Sequence, residues 1–312
     1  MPRFITLVVA RVLADGPGIR RLTLRDPDGW KLPKIRPGAH LDLQVPGLGA
    51  RAYSLCGDPA AGDCWEVAVK LEAASRGGSA WVHGLAEGAI VEAAMPRCTF
   101  PLEPAATRHV MIAGGIGVTP FLAMAPVLQR LGVDWVLHVL HRGPAPCPAA
   151  LMPWIEAGRA ICHETGAAPR PDLAALLGPY TEGLQAYCCG PALMLDAFAE
   201  ATRHWPAGRA RIEHFTPPPL PFDPSARPYT IRLASSGAEA ELAAGDNLLA
   251  ALRKLGAKVD ASCEGGICGA CEVRWLEGEP VHRDRVLSPE RRRTHLMACV
   301  AQCASDRLLV DL

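Results

Sequence analysis

The chain has 312 residues, 49% of them apolar, and its 32 basic side chains are balanced by 32 acidic ones. A neutral chain of this length is long for one core and suits two or three domains, and it offers nucleic acid or an acidic membrane surface little to bind by charge. No apolar run of about 18 residues is present, Met1-Pro2-Arg3-Phe4 has no secretion-signal pattern, and the twelve cysteines of such a chain are expected as reduced thiols and metal ligands in the cytoplasm.

From residue 3 to about 102 the chain is built of short alternating runs punctuated by Gly and Pro, at 5–12, 20–24, 39–45, 51–55, 65–71 and 89–93. Many short strands with turn signals predict an antiparallel β-barrel or sandwich. In Arg51-Ala52-Tyr53-Ser54-Leu55, the period of two puts Arg51 and Tyr53 on one face, able to meet a flat ligand together. Arg supplies a fixed charge for phosphate and Ser54 a hydroxyl for a ring nitrogen. Ser75-Arg76-Gly77-Gly78-Ser79 then turns into a helical stretch at 80–85, a geometry suited to a terminal phosphate. A plain exposed strand and a plain turn explain each motif taken singly.

At His109 the texture changes. Apolar strands at 109–113, 135–141 and 185–189 alternate with helical stretches at 121–131, 149–157 and 192–202, which predicts a parallel α/β sheet. Gly114-Gly115-Ile116-Gly117-Val118-Thr119-Pro120 joins the first strand to the first helix, with Thr119 as its expected cap and Pro120 in its first turn, so free amides and the helix dipole would face a pyrophosphate. Pro126, deep inside that helical run, costs about 3 kcal/mol or kinks the helix, for no functional reason legible in the sequence. Tyr187-Cys188-Cys189-Gly190-Pro191 ends another strand at its carboxyl end, where such sheets bind ligands. A thiol there could lie beside a reactive ring, and two buried core cysteines are the plain alternative.

Residues 216–228, with six prolines, read as an extended interdomain linker. Strands at 229–233 and 238–242, a helix at 247–255 capped by Asp246, the cysteine loop, a strand at 272–276, a polar helical segment and a final strand at 307–312 suit a ferredoxin-like β-grasp domain. Within it, Cys263, Cys268 and Cys271 have the C-x4-C-x2-C spacing of a plant-type [2Fe-2S] cluster, with Cys299 or Cys303 as fourth ligand. Gly265, Gly266 and Gly269 allow the tight curl this needs. Zinc and a crowd of buried thiols are the competing readings. Arg291-Arg292-Arg293 is either a solvated face or a docking patch for an acidic partner.

In the same order and over nearly the whole chain, residues 51–55, 75–79, 114–120, 189–191, Glu213-His214-Phe215 and the cysteine loop resemble the phthalate dioxygenase reductase family. The resemblance implies an antiparallel β-barrel flavin domain at 1–103, an α/β parallel-sheet nucleotide domain of ferredoxin-reductase type at 104–215, the linker at 216–228 and a C-terminal β-grasp [2Fe-2S] ferredoxin domain at 229–312. It implies FMN rather than FAD, with Arg51, Ala52, Tyr53 and Ser54 around the isoalloxazine and ribityl chain and Arg76, Gly77, Gly78 and Ser79 near the phosphate. Gly114, Gly115, Gly117 and Thr119 would line the NAD pyrophosphate, and Cys189, Gly190, Pro191 and Phe215 the nicotinamide and flavin, with Ser54 and Cys189 as the catalytic positions. Met297-Ala298-Cys299-Val300 resembles the closing motif of plant-type ferredoxins, which implies Cys299 as the fourth ligand.

The implied activity is that of the reductase component of a Rieske non-haem iron oxygenase, passing hydride from NADH to FMN and single electrons through the cluster to that protein partner. Two departures stand out. Cys98 occupies a position where the family usually carries Asn, and residues 141–144 show no acidic group for an adenosine 2′-hydroxyl, while Arg142 could accept a 2′-phosphate, so NADPH stays open beside NADH. The competing readings are a reductase for a haem or di-iron oxygenase and a non-enzymatic iron–sulfur carrier or redox sensor.

Overall fold

The computed structural model describes residues 4–73, 75, 77–166, 169–217, 220 and 226–312 and divides the chain into two units, Phe4–Phe215 and Thr216–Leu312. The first opens with strands β1 (Phe4–Ala14), β2 (Ile19–Arg25), β3 (Ala39–Val45), β4 (Gly49–Ser54), β5 (Trp65–Lys70) and β6 (Ile90–Ala94) in the order β4-β3-β6-β1-β2-β5, with β7 (Arg97–Cys98) added to β3. A bridge between Leu55 and Val67, and the amide of Cys56 on the carbonyl of Glu66 (2.9 Å), join β4 to β5. The antiparallel sheet thereby closes into a barrel and leaves no free edge. Its alternating inward residues, among them Leu7, Val9, Leu22, Leu24, Leu41 and Leu43, form one core. Helix α1 (Gly78–Gly84) caps it between β5 and β6.

The rest of the first unit is a five-stranded parallel sheet, β8 (Arg108–Gly114), β9 (Asp134–His141), β10 (Ala160–Glu164), β11 (Leu184–Cys189) and β12 (Ala210–Glu213), in the order β10-β9-β8-β11-β12. Helices α2 (Thr119–Leu131), α3 (Pro148–Glu156), α4 (Leu173–Leu177) and α5 (Ala192–Ala201) connect the strands. β8 and β11 are buried almost throughout, as central parallel strands must be. Strand order reverses between β8 and β11, and a crevice at their carboxyl ends is the ligand position of such sheets. Barrel and sheet share a core: Ile19, Cys56 and Ala68 pack in one cluster with Met111, Phe121 and Tyr187. The Arg130 guanidinium also grips Asp58 with two bonds of 2.7 and 2.9 Å.

The second unit contains β13 (Tyr229–Leu233), β14 (Glu239–Leu242), α6 (Leu248–Lys254), β15 (Glu272–Glu277), β16 (Pro280–Val281), α7 (Pro289–Arg292), β17 (His295–Met297), β18 (Gln302–Cys303) and β19 (Arg307–Val310). A mixed sheet β14-β13-β19-β15-β17 has β13 parallel to β19, and α6 buries Leu248, Leu249 and Leu252 in its core. The expected cap of α6 is corrected by one residue. Asn247 accepts the amide of Ala250 (3.0 Å), because the Asp246 carboxylate is turned back onto the amide of Ala243 (2.9 Å). Among the described residues no helix is long and apolar enough to cross a membrane.

Candidate redox site

The end of β4 brings Ser54 against the carboxyl ends of β11 and β12. Ser54 Oγ donates to Oε2 of Glu213 at 3.2 Å, and the Cys189 thiol approaches the same oxygen at 3.8 Å. Cys189 and Glu213 are direct neighbours in the parallel register, so one barrel strand and two sheet strands deliver a hydroxyl, a thiol and a carboxyl to one point. Ser54 and Cys189 are buried, and the carboxyl of Glu213 is enclosed although part of the residue meets solvent. Burial disfavours the charged carboxylate and pushes Glu213 up to about 8, against the opposing pull of the Ser54 and Cys189 hydrogen bonds. Burial likewise, with Glu213 next in order, pushes the Cys189 thiol well up, so it is a donor here and no thiolate. Sequence reasoning placed Ser54 and Cys189 but gave Glu213 no role. The four-residue strand that carries it shows no periodicity to distinguish it from a loop.

Three glycines of the nucleotide turn have different reasons. Gly117 lies so close to β11 that a Cβ would collide with the carbonyl of Cys189, and at Gly114 it would meet the ring of Pro191 and the tip of Met194. These two are required because the β8–α2 and β11–α5 turns pack side by side. Gly115, with φ +55°, has open space beside it and keeps its backbone accessible. The expected Thr119 cap is corrected: Gly115–Val118 form a 3-10 turn running straight into α2, and no side chain caps the helix. Thr119 is buried at the first helical position with its hydroxyl donating to the carbonyl of Ile116 at 3.1 Å. Gly190 and Pro191 border the crevice beside Gly114, and Phe215, 43% exposed, closes the first unit.

At the barrel end, Arg51 donates through Nη1 to the carbonyls of Leu48 and Ala50 (2.9 Å each), while its buried Nε has no partner among the described residues. Alternation along β4 puts Ala52 on the face of Ser54, opposite Arg51 and Tyr53. A Cβ at Gly78 would lie 2.9 Å from the Tyr53 hydroxyl and 3.0 Å from Cγ of Arg51, so the start of α1 needs glycine to sit against these two side chains. Ser75 Oγ accepts the amide of Gly77 (3.1 Å) and the Ser79 hydroxyl (2.9 Å). The residues fit a phosphate-bearing flavin. Arg76, the other expected phosphate contact, lies outside the described residues. Cys98 is half-buried with its thiol on the carbonyl of Pro37 (3.6 Å).

In the second unit the cysteine loop runs directly into β15, and Cys299 follows β17, paired to it. The amide of Cys299 donates to Cys271 Sγ at 3.4 Å, and the amides of Gly265 and Ile267 to Cys263 Sγ at 3.4 and 3.5 Å. The thiols of Cys268 and Cys299 are within hydrogen-bonding reach of Cys263, and Cys299 within reach of Cys271. Hydrogen bonds from Cys268 and Cys299 first, then those two amides, hold Cys263 far below an ordinary thiol in spite of burial. Four converging sulfurs served by backbone amides fit a thiolate-held iron–sulfur cluster. Cys303 points elsewhere, toward Ser305 Oγ (3.2 Å) and the carbonyl of Arg307 (3.6 Å).

The 2Fe-2S iron-sulfur cluster binding domain family matches residues 231–304. Phthalate dioxygenase reductase of Burkholderia cepacia is 34% identical over 99% of this chain and 98% of its own length. The solved structure of phthalate dioxygenase reductase, described as modular for electron transfer from pyridine nucleotides to [2Fe-2S], superposes with a TM-score of 0.72 at 33% identity, covering 99% of this chain and 98% of that one. An intact type IV self-sufficient cytochrome P450 monooxygenase superposes with a TM-score of 0.90 at 37% identity over 99% of this chain, which spans 41% of that longer protein. With its barrel, parallel sheet and cysteine loop in the same order, the chain belongs to the phthalate dioxygenase reductase family.

Proposed function

We propose that this oxidoreductase is the reductase component of a Rieske-type non-haem iron oxygenase, working in the cytoplasm with NADH, FMN and a [2Fe-2S] cluster. Residues 1–103 would hold the flavin, 104–215 the nucleotide and 229–312 the cluster. The observation that carries the reading is the meeting of Ser54, Cys189 and Glu213 at the junction of barrel and parallel sheet. When bound, the nicotinamide supplies hydride, the flavin converts electron pairs to single electrons, and the cluster passes them on. Arg51 and the start of α1 offer charge and amides for one terminal phosphate, which favours FMN. The turns at Gly114–Gly117 and Cys189–Pro191 line the crevice for the pyrophosphate and nicotinamide. Ser54 and Cys189 orient Glu213, whose carboxyl holds a proton at neutral pH and can exchange it through the Ser54 hydroxyl. Cys263, Cys268, Cys271 and Cys299 would hold the iron.

NADH is favoured by Glu164, which was not singled out in the sequence. It ends β10 in register with His141 and is exposed at the carboxyl edge of the sheet, where a carboxylate can accept bonds from adenosine ribose hydroxyls and would repel a 2′-phosphate. A haem oxygenase as acceptor is the second reading, favoured by the likeness to the cytochrome P450. The deciding experiment is an anaerobic NADH titration of the purified protein with flavin and iron quantified, followed by mixing with a Rieske oxygenase and with a P450. Bleaching of flavin and iron–sulfur bands, then electron delivery to the Rieske centre, is expected. Delivery to haem alone moves the acceptor to the second reading, and no response to NADH leaves a carrier or sensor.

A further inference from the structure

Residues 282–287 cross over the cysteine loop of the second unit. The amide of Arg285 donates to the carbonyl of Gly266 at 3.0 Å. Gly266 has φ +72°, and a Cβ there would lie 2.8 Å from Cγ2 of Val300 and 3.0 Å from Cα of Asp284. Gly266 stands between Cys263 and Cys268, and Val300 follows Cys299, so Gly266 is the point at which the crossing and the Cys299 segment both close on the cysteine loop.

The crossing is held by Asp284, which is 5% exposed. Its Oδ2 accepts the amides of Val286 (3.2 Å) and Leu287 (2.9 Å) and Nη2 of Arg292 (3.4 Å). Arg292 Nη2 also donates to the backbone carbonyl of Asp284 at 2.6 Å, and the carbonyl of Arg292 accepts the indole N–H of Trp275 on β15 at 3.2 Å. His282 Nδ1 lies 3.7 Å from the other carboxylate oxygen. A carboxylate this deep is costly unless it is paired and bonded, and no proton or electron step requires it.

The orientation of one peptide unit gives it a purpose. In a trans peptide the carbonyl and the following N–H point in opposite directions. With the carbonyl of Gly266 tied to Arg285, the N–H of Ile267 is turned the other way, and it meets Cys263 Sγ at 3.5 Å. We infer that Asp284 is a positioning residue for the cluster: by locking the 282–287 crossing it fixes the Gly266–Ile267 peptide so that its N–H faces the Cys263 sulfur. The inference rests on the reading of Cys263, Cys268, Cys271 and Cys299 as cluster ligands. Bonds from amides to cluster sulfur tune its potential and its retention.

The test uses full-length holoprotein carrying Asp284→Ala or Asp284→Asn, with Arg274→Ala as a control that removes an ion pair to Asp311 on the same sheet. Iron release to excess chelator, the midpoint potential and the g-values of the dithionite-reduced cluster are measured. Asp284→Ala is expected to release iron about ten- to a hundredfold faster, the usual cost of losing a group that orients a ligand, with altered g-values and potential. Asp284→Asn, which keeps an oxygen for the two amides, should fall between, and Arg274→Ala should match wild type. Wild-type release, potential and g-values in Asp284→Ala overturn the inference. Should neither variant fold, hydrogen exchange of the wild-type holoprotein decides: the amides of Arg285, Val286, Leu287 and Ile267 opening together supports it, and Ile267 staying protected while the others exchange overturns it. Wild-type protein without iron would instead overturn the cluster reading, and the inference with it.

Discussion

Two donors on one carboxyl oxygen make Ser54 and Glu213 separable by experiment. Ser54→Ala removes the donor at 3.2 Å and the hydroxyl path to the Glu213 proton. Single-turnover reduction by NADH should slow about a hundredfold, the lower range for a positioned proton-transfer group, with little change in nucleotide affinity; an unchanged rate would remove Ser54 from the chemistry. Glu213 makes a prediction about pH. Its folded value of about 8 lies above the ordinary carboxyl range near 4.5, so the folded state holds the proton more tightly than the unfolded chain does. The stability this contributes is present below about pH 4.5 and is lost as pH rises toward 8, with a slope of at most about 1.4 kcal/mol per pH unit. Glu213→Gln should flatten that slope in denaturant titrations from pH 6 to 9, and an unchanged slope would assign the pH dependence to other groups.

Elements differ in how much of themselves they announce. The strands of the barrel and the central strands β8, β9 and β11 were legible from alternation and apolar runs, with ends within a few residues. β10 and β12 were not, since Ala160–Glu164 and Ala210–Glu213 are short and mix polar with apolar residues; neighbouring strands, more than their own sequence, hold them in the sheet. Both carry an acid that the proposed function uses, Glu164 and Glu213, and so the part of the candidate site hardest to read lay on the least patterned strands. The cysteine spacing announced its own site because ligand geometry is written locally, whereas Asp284 owes its place to tertiary contacts. The nucleotide turn was legible as glycines, but their reason is packing of two turns. Gly117→Ala should therefore cost about 1–3 kcal/mol as an overpacked contact and raise the Kd for NADH, measured by thermal unfolding and by titration. An unperturbed melting temperature would show that the Cys189 carbonyl can give way.

The two units each have their own hydrophobic core, and the residues proposed for flavin and nucleotide all lie in the first, while the four proposed ligand cysteines lie in the second. A group that binds only the folded state stabilises the unit that holds it. Thermal unfolding of the holoprotein should then show two transitions, of which chelation of the iron lowers one. Cys299→Ser should reproduce the chelated behaviour and lose about two irons per chain, whereas Cys303→Ser, whose thiol points at Ser305, should keep its iron. In the chelated protein and in Cys299→Ser alike, NADH should still reduce ferricyanide through the first unit while delivery to an oxygenase partner stops. If ferricyanide reduction falls together with the iron, the units depend on each other for folding or for electron flow, and the separation of labour between them is wrong; if Cys303→Ser loses iron, the fourth ligand is misassigned.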